Sequence, residues 1–447
     1  MKTSFADSRL PTVEDEQLTG FGTVRSSQRR VLMLANSLPY PSTNGYKMRV
    51  WAILNCLRAE RCCVDLLCFG DPAELDRHRV ELSHVCRNIE VIPRKVASLS
   101  AGMNLRMRIA AFFSPYPYGP ASSRSAGMQA RVEGLLRTSA YDAVLVEETD
   151  LLPNLPEHLP VPLVVDHHNA EHLLLERYVA HAENPLRALY ARLEARKVRR
   201  WEREATRRAS TVLVCSDHDR STFQKLAPYS SILIVPNVID ADAYAPVFEE
   251  AEENHTVLYA GGMDWHPNRD AVRYFAHRIL PRLRTLVPKA EFVVAGRAPS
   301  PHFKQEFARI PGIRFTGTLA DLRPEICKAA VCVVPLRIGS GTRLKILEAA
   351  ALGKAIVSTR IGAEGLEFVD GEEIVLADAP SEFAEAVASL LADRDRRGRM
   401  GQAARKRLEK SYSLPVMRAA VEYAWDAMDI KFVRDWRDQQ RRGMNHE

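Results

Sequence analysis

The sequence predicts an α/β protein of two doubly wound domains that face each other across a cleft. Short, β-rich apolar segments alternate with helical segments along most of the chain, and this alternation is interrupted near residue 245 before it restarts. Such alternation is typical of parallel sheets covered by helices on both faces. The chain has 447 residues, of which 46% are hydrophobic, so there is enough apolar material for two cores.

The predicted first domain spans residues 28–240 and follows a polar, aperiodic segment, residues 1–27, that we expect to be disordered. Helical periodicity over residues 45–59 separates its first two strands. The predicted strands are RVLMLAN (30–36), CVDLLCF (63–69), YDAVLVEE (141–148), VPLVVDHH (161–168) and STVLVCSD (210–217), with ILIVPNVID (232–240) closing the domain.

An acidic, aperiodic segment, residues 241–255, is the predicted linker to a second domain over residues 256–410. The strands predicted there are TVLYAGG (256–262), EFVVAGR (291–297), VCVVPL (331–336) and AIVST (355–359). The chain then reads as helical throughout from residue 380 to residue 442. Ligands bind at the carboxyl ends of strands in such sheets, so we expect the site in the cleft between the domains.

The overall composition narrows the class of protein. A net charge of +6 fits an anionic small molecule or an acidic membrane surface and does not require nucleic acid. The eight cysteines show no CxxC pair or metal-finger spacing, which favours a reducing compartment. No apolar run approaches the roughly 20 residues of a membrane span, and the N-terminus lacks a signal-peptide core. We therefore expect a cytoplasmic protein.

A glycine-rich loop followed by two cations, within PLRIGSGTRLKILEAAALGKAIVST (335–359), is the main candidate site. The glycines let the backbone approach a ligand, the hydroxyl side chains are expected to cap the next helix, and the cations attract an anion. The spacing is not that of a Walker loop, but it fits a diphosphate-binding loop. The residues concerned are Gly339, Ser340, Gly341, Thr342, Arg343 and Lys345.

Three further features lie near predicted strand ends or helix starts. Glu348, in the middle of the apolar helix, either faces solvent or accepts hydrogen bonds from ribose hydroxyls. Asn44 and Gly45 start the first helix, as a simple turn or as a phosphate-binding loop. His167 and His168 end a strand and are either structural or part of the site. His168 and His172 have i, i+4 spacing, but the zincin glutamate is missing, so we expect no metal.

Together these segments resemble the GT-B glycosyltransferases, and in particular the retaining family 4, or group 1, enzymes. The resemblance rests on LPYPSTNGYKMRV, VDHHNAEH, VCSDHDR, IVPNVID, YAGGMDWHPN, VVAGR and GSGTRLKILEAAALGKAIVSTRIGAEGL, which occur in the family's order between residues 30 and 410. It implies two Rossmann-like domains facing across a cleft, an acceptor domain followed by a nucleotide-sugar donor domain. It also implies that the final helix, within residues 411–447, crosses back to the first domain.

The resemblance assigns roles to individual residues. It implies that Glu348 contacts the nucleotide ribose and that the loop at Asn44 and Gly45 covers the donor diphosphate. It also implies that a histidine, His168 or else His167, lines the reacting sugar and is the catalytic candidate.

Two positions depart from the family pattern. Ser340 stands where the family commonly has a second acid that contacts the donor sugar, and Glu364 is the candidate to replace it. In GGMDWHPN, Gly262 follows Gly261 where the family commonly has an arginine, and the usual lysine is missing. We expect these glycines to approach the donor phosphates, and Arg343 and Lys345 to supply the phosphate-binding charge.

The expected function is transfer of a sugar from a nucleoside-diphosphate sugar to a hydroxyl acceptor, in exopolysaccharide or glycolipid synthesis. We expect retention and neither metal nor cofactor, because the nucleotide sugar is a substrate. The acceptor is expected to be a saccharide or lipid-linked. Basic residues in 187–210 and apolar and basic residues in 101–119 suggest contact with acidic membrane on its inner face. The alternatives are a GT-B nucleotide-sugar epimerase and a non-catalytic sugar-nucleotide-binding subunit of a polysaccharide assembly.

Overall fold

The computed structural model describes residues 28–93, 110, 112–182, 184–244, 255–297 and 299–443, with side chains to residue 428. The predicted lead-in and most of the predicted linker lie outside the described residues. The chain forms two parallel sheets of seven and six strands. The predicted α/β architecture with two facing domains is confirmed.

The first sheet has the strand order β3-β2-β1-β4-β5-β6-β7, with all neighbours parallel. Its strands are β1 Arg30–Ala35, β2 Cys63–Gly70, β3 Asn88–Pro93, β4 Ala143–Glu147, β5 Leu163–His167, β6 Thr211–Val214 and β7 Ile232–Ile234. The helices are α1 Gly45–Ala59, α2 Pro72–Ser83, α3 Tyr118–Ser123, α4 Ala126–Thr138, α5 Glu171–His181, α6 Pro185–Arg208 and α7 Asp217–Leu226, with a 3₁₀ helix at Thr149–Asn154. The order reverses between β1 and β4, which opens a crevice at their carboxyl ends.

The second sheet has the order β10-β9-β8-β11-β12-β13, also parallel. Its strands are β8 Thr256–Ala260, β9 Glu291–Ala295, β10 Ile313–Gly317, β11 Val331–Val334, β12 Ala355–Ser358 and β13 Val375–Leu376. Its helices are α8 His266–Tyr274, α9 Leu280–Leu286, α10 Pro301–Gln305, α11 Arg323–Lys328, α12 Leu344–Ala351, α13 Arg360–Ala363, α14 Pro380–Ala392 and α15 Arg394–Ser411, with a π segment at Phe275–Ile279. The order reverses between β8 and β11.

The strands β3, β10 and β13 were not predicted from the sequence, and all three lie toward the edges of their sheets. Their residues are half-buried or exposed, whereas β4, β5, β6, β11 and β12 are fully buried. An apolar run therefore identifies the strands covered on both faces and also the edge strand β7, whose residues are all apolar, but it misses the other three edge strands.

A long helix at the end of the chain, α16 Leu414–Gly443, returns from the second domain to the first. Its buried residues Met417, Val421 and Trp425 belong to the same core as Val50 and Leu54 of α1. The expectation of a crossing C-terminal helix is thus confirmed. None of the helices in the described ranges has the apolar length that a bilayer crossing requires.

Candidate active site

The glycine-rich loop between β11 and α12 lies directly against the first domain. The backbone N–H of Ala170 donates to Ser340 Oγ at 2.8 Å, and Asn237 Nδ2 donates to Thr342 Oγ1 at 2.6 Å. Gly341 has φ +73°, and a Cβ there would lie 2.5 Å from the carbonyl oxygen of His168. A side chain at this position would therefore push the two domains apart.

These contacts overturn the expectation that Ser340 and Thr342 cap the next helix. The helix begins at Leu344, with Arg343 at the N-cap position and no side-chain capping hydrogen bond. Both hydroxyl groups accept hydrogen bonds from the first domain instead. The capping signal was wrong because an interdomain partner competes for the same oxygens.

The start of the first helix meets this loop from the other domain. Asn44 is the N-cap of α1 and its side chain accepts from Lys47 N, as the sequence indicated. A Cβ on Gly45 would lie 3.2 Å from Leu344 Cδ1, so the N-termini of α1 and α12 are close neighbours. Unpaired N–H groups and the positive ends of two helix dipoles thus point toward one region.

A buried network of charged groups ends the strands β4 and β5 of the first sheet. Arg49 of α1 donates from Nε and Nη2 to the two carboxylate oxygens of Asp166, at 2.7 and 2.6 Å. His168 Nε2 lies 2.8 Å from Glu147 Oε2 and 3.3 Å from Asp166 Oδ2. We name Arg49, Glu147, Asp166 and His168 the buried charge network.

The electrostatics of this network favour a protonated histidine. Burial alone would lower the pKa of His168, but the hydrogen bond and charge of Asp166, together with Glu147, raise it to about 10. Burial and the charge of Asp166 raise the pKa of Glu147 to about 7. Burial also disfavours ionised Asp166, but Arg49 and His168 outweigh that and its pKa is lowered. Each charge therefore has a partner of opposite sign.

Three atoms of the network could in principle surround a metal ion, since ligand atoms of Glu147, Asp166 and His168 lie within 4.8 Å of one another. Both Asp166 oxygens, however, already accept from Arg49, whose fixed charge would repel a cation. The geometry therefore fits a shared proton better than a metal. The absence of a metal from the site remains a prediction.

The neighbouring histidine has a different environment. The ring of His167 packs on Phe223, with ring centroids 4.1 Å apart, and its Nε2 lies 3.3 Å from Thr206 Oγ1. Burial lowers the pKa of His167 to about 3, so it is neutral. Successive residues of a strand point to opposite faces, and His167 accordingly points away from Asp166 and its partner Arg49.

A lysine of the second domain lies near the point where the strand order of the second sheet reverses, between β8 and β11. Lys345 Nζ donates to Tyr259 OH at 2.7 Å and to Asn268 Oδ1 at 3.0 Å, and a Cβ on Gly261 would lie 3.0 Å from this nitrogen. Burial and the charge of Arg343 lower the pKa of Lys345 to about 7. The lysine thus lies beside the glycine that ends β8, with only neutral hydrogen-bond acceptors.

Arg343 occupies the adjoining position. Its Nη1 donates to the carbonyl oxygens of Ser340 and Gly341, the latter at 2.7 Å. Its Nη2 is buried and has no hydrogen-bond partner among the described residues. Burial lowers the pKa of Arg343 to about 10. An anion placed here would satisfy a donor that the protein leaves open.

Two predicted acids already have protein partners. Tyr244 OH donates to Glu348 Oε1 at 3.0 Å, and burial raises the pKa of Glu348. Glu364 accepts two hydrogen bonds of 2.7 Å from Arg177 of α5, which also donates to the carbonyl oxygen of Gly339. Gly262, by contrast, lies next to the Asp264 side chain at the end of β8.

The structure therefore groups the predicted residues on two sides of one interdomain region. The second domain contributes Gly261, Gly262, Gly339, Ser340, Gly341, Thr342, Arg343, Lys345, Glu348 and Glu364, and the first contributes Asn44, Gly45 and His168. His167 points away from Asp166 and Arg49.

Sequence reasoning missed Arg49, Glu147 and Arg177. Arg49 carried a signal, because its spacing to Ala52, Ile53 and Cys56 places an arginine on the apolar face of a helix. Glu147 follows an apolar strand, like Asp166 on the neighbouring strand. Arg177 carried no such signal, since its importance comes from the partner domain.

Two family models match most of the described chain. A model described as Glycosyltransferase Family 4 matches residues 43–243, and one described as Glycosyl transferases group 1 matches residues 254–393. The two matches meet near residue 250, between the two sheets. A search among curated proteins found no match.

Several solved structures have the same fold. Sucrose-phosphate synthase from Thermosynechococcus elongatus has a TM-score of 0.66 at 17% identity, covering 90% of this chain and 99% of that one. For HepE from Anabaena the TM-score is 0.59 at 14% identity, covering 89% and 100%. For a mutant of TarM from S. aureus it is 0.65 at 10% identity, covering 90% and 99%. At these identities the likeness shows the fold alone.

Proposed function

The chain belongs to the GT-B glycosyltransferases of the group 1 and family 4 type, and from this premise we propose that it moves a sugar from a nucleoside-diphosphate sugar to a hydroxyl acceptor. The observation that carries this proposal is the pair Arg343 and Lys345. Both side chains are largely buried; Arg343 is cationic, Lys345 is cationic below about pH 7, and neither forms an ion pair with a carboxylate among the described residues. A diphosphate supplies the missing negative charge.

The donor diphosphate is proposed to lie between Gly261, Lys345 and the N-terminus of α12 on one side and the N-terminus of α1 on the other. Glu348, one turn into α12, would then accept hydrogen bonds from the ribose hydroxyls in place of Tyr244. The solved HepE and TarM structures contain UDP, and HepE also contains glucose. UDP and UDP-glucose are therefore the first compounds to test.

In the proposed reaction, the bond between the anomeric carbon and the diphosphate oxygen breaks as the acceptor oxygen bonds to that carbon. The acceptor's proton passes to the leaving phosphate, so no strong protein base is needed. Arg343, Lys345 and the helix N-termini stabilise the departing negative charge without a metal. The proposed transfer proceeds with retention and moves a hexose.

His168 is the proposed catalytic histidine. It is held by Glu147 and Asp166, and its backbone carbonyl abuts Gly341 of the donor loop. A protonated imidazole at this junction can donate a hydrogen bond to a sugar hydroxyl and hold the ring in place. The acceptor is proposed to enter from the first domain, as an intermediate of exopolysaccharide or glycolipid synthesis.

Contact with acidic membrane is part of this proposal. Phe113, Leu186 and Leu189 are exposed, at 81%, 76% and 55%. Four arginines of α6 and Lys225 of α7 line a shallow basic groove. Exposed apolar side chains and a basic groove on the same domain favour the surface of an anionic bilayer. Residues 101–109 and 111 of the predicted membrane segment lie outside the described residues, and so do the side chains of the basic residues Lys431, Arg434, Arg437, Arg441 and Arg442 near the end of the chain.

Vesicle sedimentation tests the membrane contact. We expect the protein to sediment with vesicles that contain phosphatidylglycerol and to remain in solution with phosphatidylcholine alone. Arg196→Glu/Arg203→Glu should weaken the sedimentation, because it reverses two charges of the groove. Equal sedimentation with both vesicle types would contradict the proposed contact.

Calorimetric titration tests the donor site. Wild-type protein and Glu348→Ala are titrated with UDP, GDP, ADP and their glucose conjugates, and Glu385→Ala, an exposed substitution on α14, is the control. We expect one nucleotide to bind wild type and the control equally, and to bind Glu348→Ala at least about tenfold more weakly, because a charged hydrogen-bond acceptor is lost. Binding of no nucleotide would refute the proposed function.

Product analysis separates transfer from the alternatives. A transferase consumes the nucleotide sugar rapidly only when an acceptor is added. An epimerase converts the nucleotide sugar without an acceptor. A non-catalytic binding subunit does not consume the nucleotide sugar under either condition. We expect consumption of the nucleotide sugar to depend on the acceptor.

A further inference from the structure

A buried line of hydrogen bonds runs from the first domain into the glycine-rich loop of the second. Arg49 of the buried charge network donates from Nη1 to Asn237 Oδ1 at 3.0 Å. Asn237 lies just after β7, and its Nδ2 donates in turn to Thr342 Oγ1 at 2.6 Å. Both Asn237 and Thr342 are buried. One side-chain amide therefore joins the charge network of the first domain to the loop that is proposed to bind the donor.

Chemistry fixes the direction of each bond in this line. A guanidinium group has only N–H donors, so Asn237 has to present its carbonyl oxygen to Arg49. The amide nitrogen of Asn237 then faces Thr342, whose hydroxyl oxygen accepts. Arg49 is itself held in place, because its Nε and Nη2 donate to the two carboxylate oxygens of Asp166. The orientation of Asn237, and with it the role of the Thr342 oxygen, is therefore set by the first domain.

The bond from Asn237 leaves the hydroxyl hydrogen of Thr342 available. A threonine hydroxyl can accept hydrogen bonds and also donate one, and the hydrogen of Thr342 has no acceptor among the described residues. The next residue, Arg343, likewise keeps a buried Nη2 without a partner in the described part of the chain. Two neighbouring donors are thus open just before α12 begins at Leu344. A buried donor without an acceptor costs free energy, which an anion at this place would recover.

The other hydroxyl of the loop has the same polarity. Ser340 Oγ accepts from the backbone N–H of Ala170 at 2.8 Å, and a backbone N–H can only donate. The hydroxyl hydrogen of Ser340 also has no acceptor among the residues that the structure describes. Both loop hydroxyls therefore use their oxygens to bind the first domain and keep their hydrogens for another partner. A hydroxyl that only tied the domains together could equally donate to the first domain, and neither does.

We propose that Asn237 is a positioning residue of the donor site: it occupies the oxygen of Thr342, so that the Thr342 hydroxyl donates its hydrogen to the donor diphosphate. This inference rests on the proposed function for the identity of the anion. A hydroxyl that accepts one hydrogen bond becomes a stronger donor for the next, and a bond to a charged acceptor is stronger than one to a neutral acceptor. The first domain thereby adds to a phosphate site whose basic residues, Arg343 and Lys345, belong to the second.

Removal of the hydroxyl tests its contact with phosphate. Thr342→Val keeps the shape of the side chain, and its affinities for UDP, inorganic pyrophosphate and uridine are measured by calorimetry, or by NMR titration where binding is weak. We expect UDP and pyrophosphate to bind about tenfold more weakly than to wild type, because a charged hydrogen bond is lost, and uridine, which has no phosphate, to bind equally. Thr342→Ser keeps the hydroxyl, and Thr138→Val removes an exposed one on α4, so both should match wild type. An equal loss for UDP and uridine, or no loss for UDP, overturns the proposal.

Reversal of the bond tests the role of Asn237 itself. In Asn237→Asp the new carboxylate still accepts from Arg49 but cannot donate, so the Thr342 hydroxyl turns to donate to it and is lost to the phosphate. We expect UDP to bind at least about tenfold more weakly to Asn237→Asp than to wild type, and the same substitution to cost clearly less in a Thr342→Val background, where no hydroxyl can turn. The new charge repels the diphosphate in both backgrounds, so the difference between the two losses measures the turned hydroxyl. Equal losses in the two backgrounds overturn the role of Asn237.

The pyrophosphate measurement separates this inference from the proposed function. If wild type binds pyrophosphate through Thr342 but binds none of UDP, GDP and ADP, the role of the hydroxyl stands and the nucleotide-sugar donor is refuted. If wild type binds UDP and Thr342→Val binds it equally, the donor site stands and the role of the hydroxyl is refuted. Binding of neither pyrophosphate nor a nucleotide refutes both. If Asn237→Asp does not fold, Thr342→Val and Thr342→Ser decide between these outcomes.

Discussion

The two sheets of this protein bring charged residues to their carboxyl ends in opposite ways. In the first domain Arg49, Asp166, Glu147 and His168 form a network in which each charge has an opposite partner within hydrogen-bond distance. In the second domain Arg343 and Lys345 are held by carbonyl, hydroxyl and amide oxygens, with no carboxylate bound among the described residues.

This difference in charge pairing indicates that the charged residues of the first domain have a structural role and that those of the second domain can bind a ligand. A completed buried ion pair positions other groups and destabilises the fold when one member is lost. A cation buried without a counterion costs stability in the free protein and recovers it when an anion binds. The network of the first domain therefore holds His168, while the cations of the second domain are the ones that we propose bind the donor diphosphate.

The largest expected effect is on folding and concerns Arg49. Arg49→Met removes the bidentate partner of the buried Asp166 and leaves a single cation, His168, to balance both Asp166 and Glu147, so we expect the free energy of unfolding to fall by about 3–5 kcal/mol. Urea denaturation measures it. The control is Arg131→Met, which breaks a two-point ion pair with Glu90 on the surface and should cost less than about 1 kcal/mol. Equal losses of unfolding free energy in the two variants would mean that the buried network stabilises the fold no more than a surface ion pair does.

The next effect is on donor affinity. Arg343→Ala/Lys345→Ala removes both diphosphate cations, and we expect UDP to bind about 100-fold more weakly, since each charged hydrogen bond contributes about 1.5–3 kcal/mol. Stability should not fall, in contrast to Arg49→Met, because no carboxylate loses its partner.

The control for this pair is Arg399→Ala/Lys406→Ala, which removes the same two charges from the exposed surface of α15. It should leave UDP affinity almost unchanged. Calorimetry and thermal unfolding of the same samples provide both readouts. A large loss of stability in Arg343→Ala/Lys345→Ala would show that these cations support the fold.

A smaller effect on donor affinity is expected from a change in pH. The pKa of Lys345 is lowered to about 7, so this side chain is charged below pH 7 and increasingly neutral above it. The charged form is the one that we propose binds the diphosphate, so affinity for UDP-glucose should fall as the pH rises from 6 to 9, by at most about tenfold per unit above pH 7. Calorimetry at constant ionic strength measures this, and Lys345→Met should flatten the profile. A wild-type affinity that rises with pH would contradict the assignment.

The smallest expected effect is on UDP affinity and concerns Glu348 of the second domain. Tyr244→Phe removes the hydroxyl that donates to Glu348 and frees the carboxylate for ribose. We expect UDP to bind up to about fivefold more tightly, corresponding to one hydrogen bond of about 1 kcal/mol. Weaker binding would instead place Tyr244 among the groups that hold the nucleotide.

The comparison also shows where sequence reasoning works. The buried strands and the first helix were predictable because their signals are local: apolar runs, periodicity and the cap at Asn44. The edge strands β3 and β10 were not, because polar residues interrupt their apolar runs, and β13 has only two residues; the edge strand β7 was predicted because its residues are all apolar. Ser340 and Thr342 show the same limit within the site, because their hydroxyls bind the other domain rather than their own helix.

The sequence by itself determined the α/β class, and it predicts the position of the interdomain break and a binding site at the glycine loop with its cations and Glu348. These depend on residues close together along the chain. Only the tertiary structure decided that Arg49 pairs with Asp166, that Arg177 reaches Glu364, and that His168 rather than His167 lies within hydrogen-bond distance of Glu147. Each of these contacts joins residues far apart in sequence, and burial in a common interior fixes which opposite charges meet.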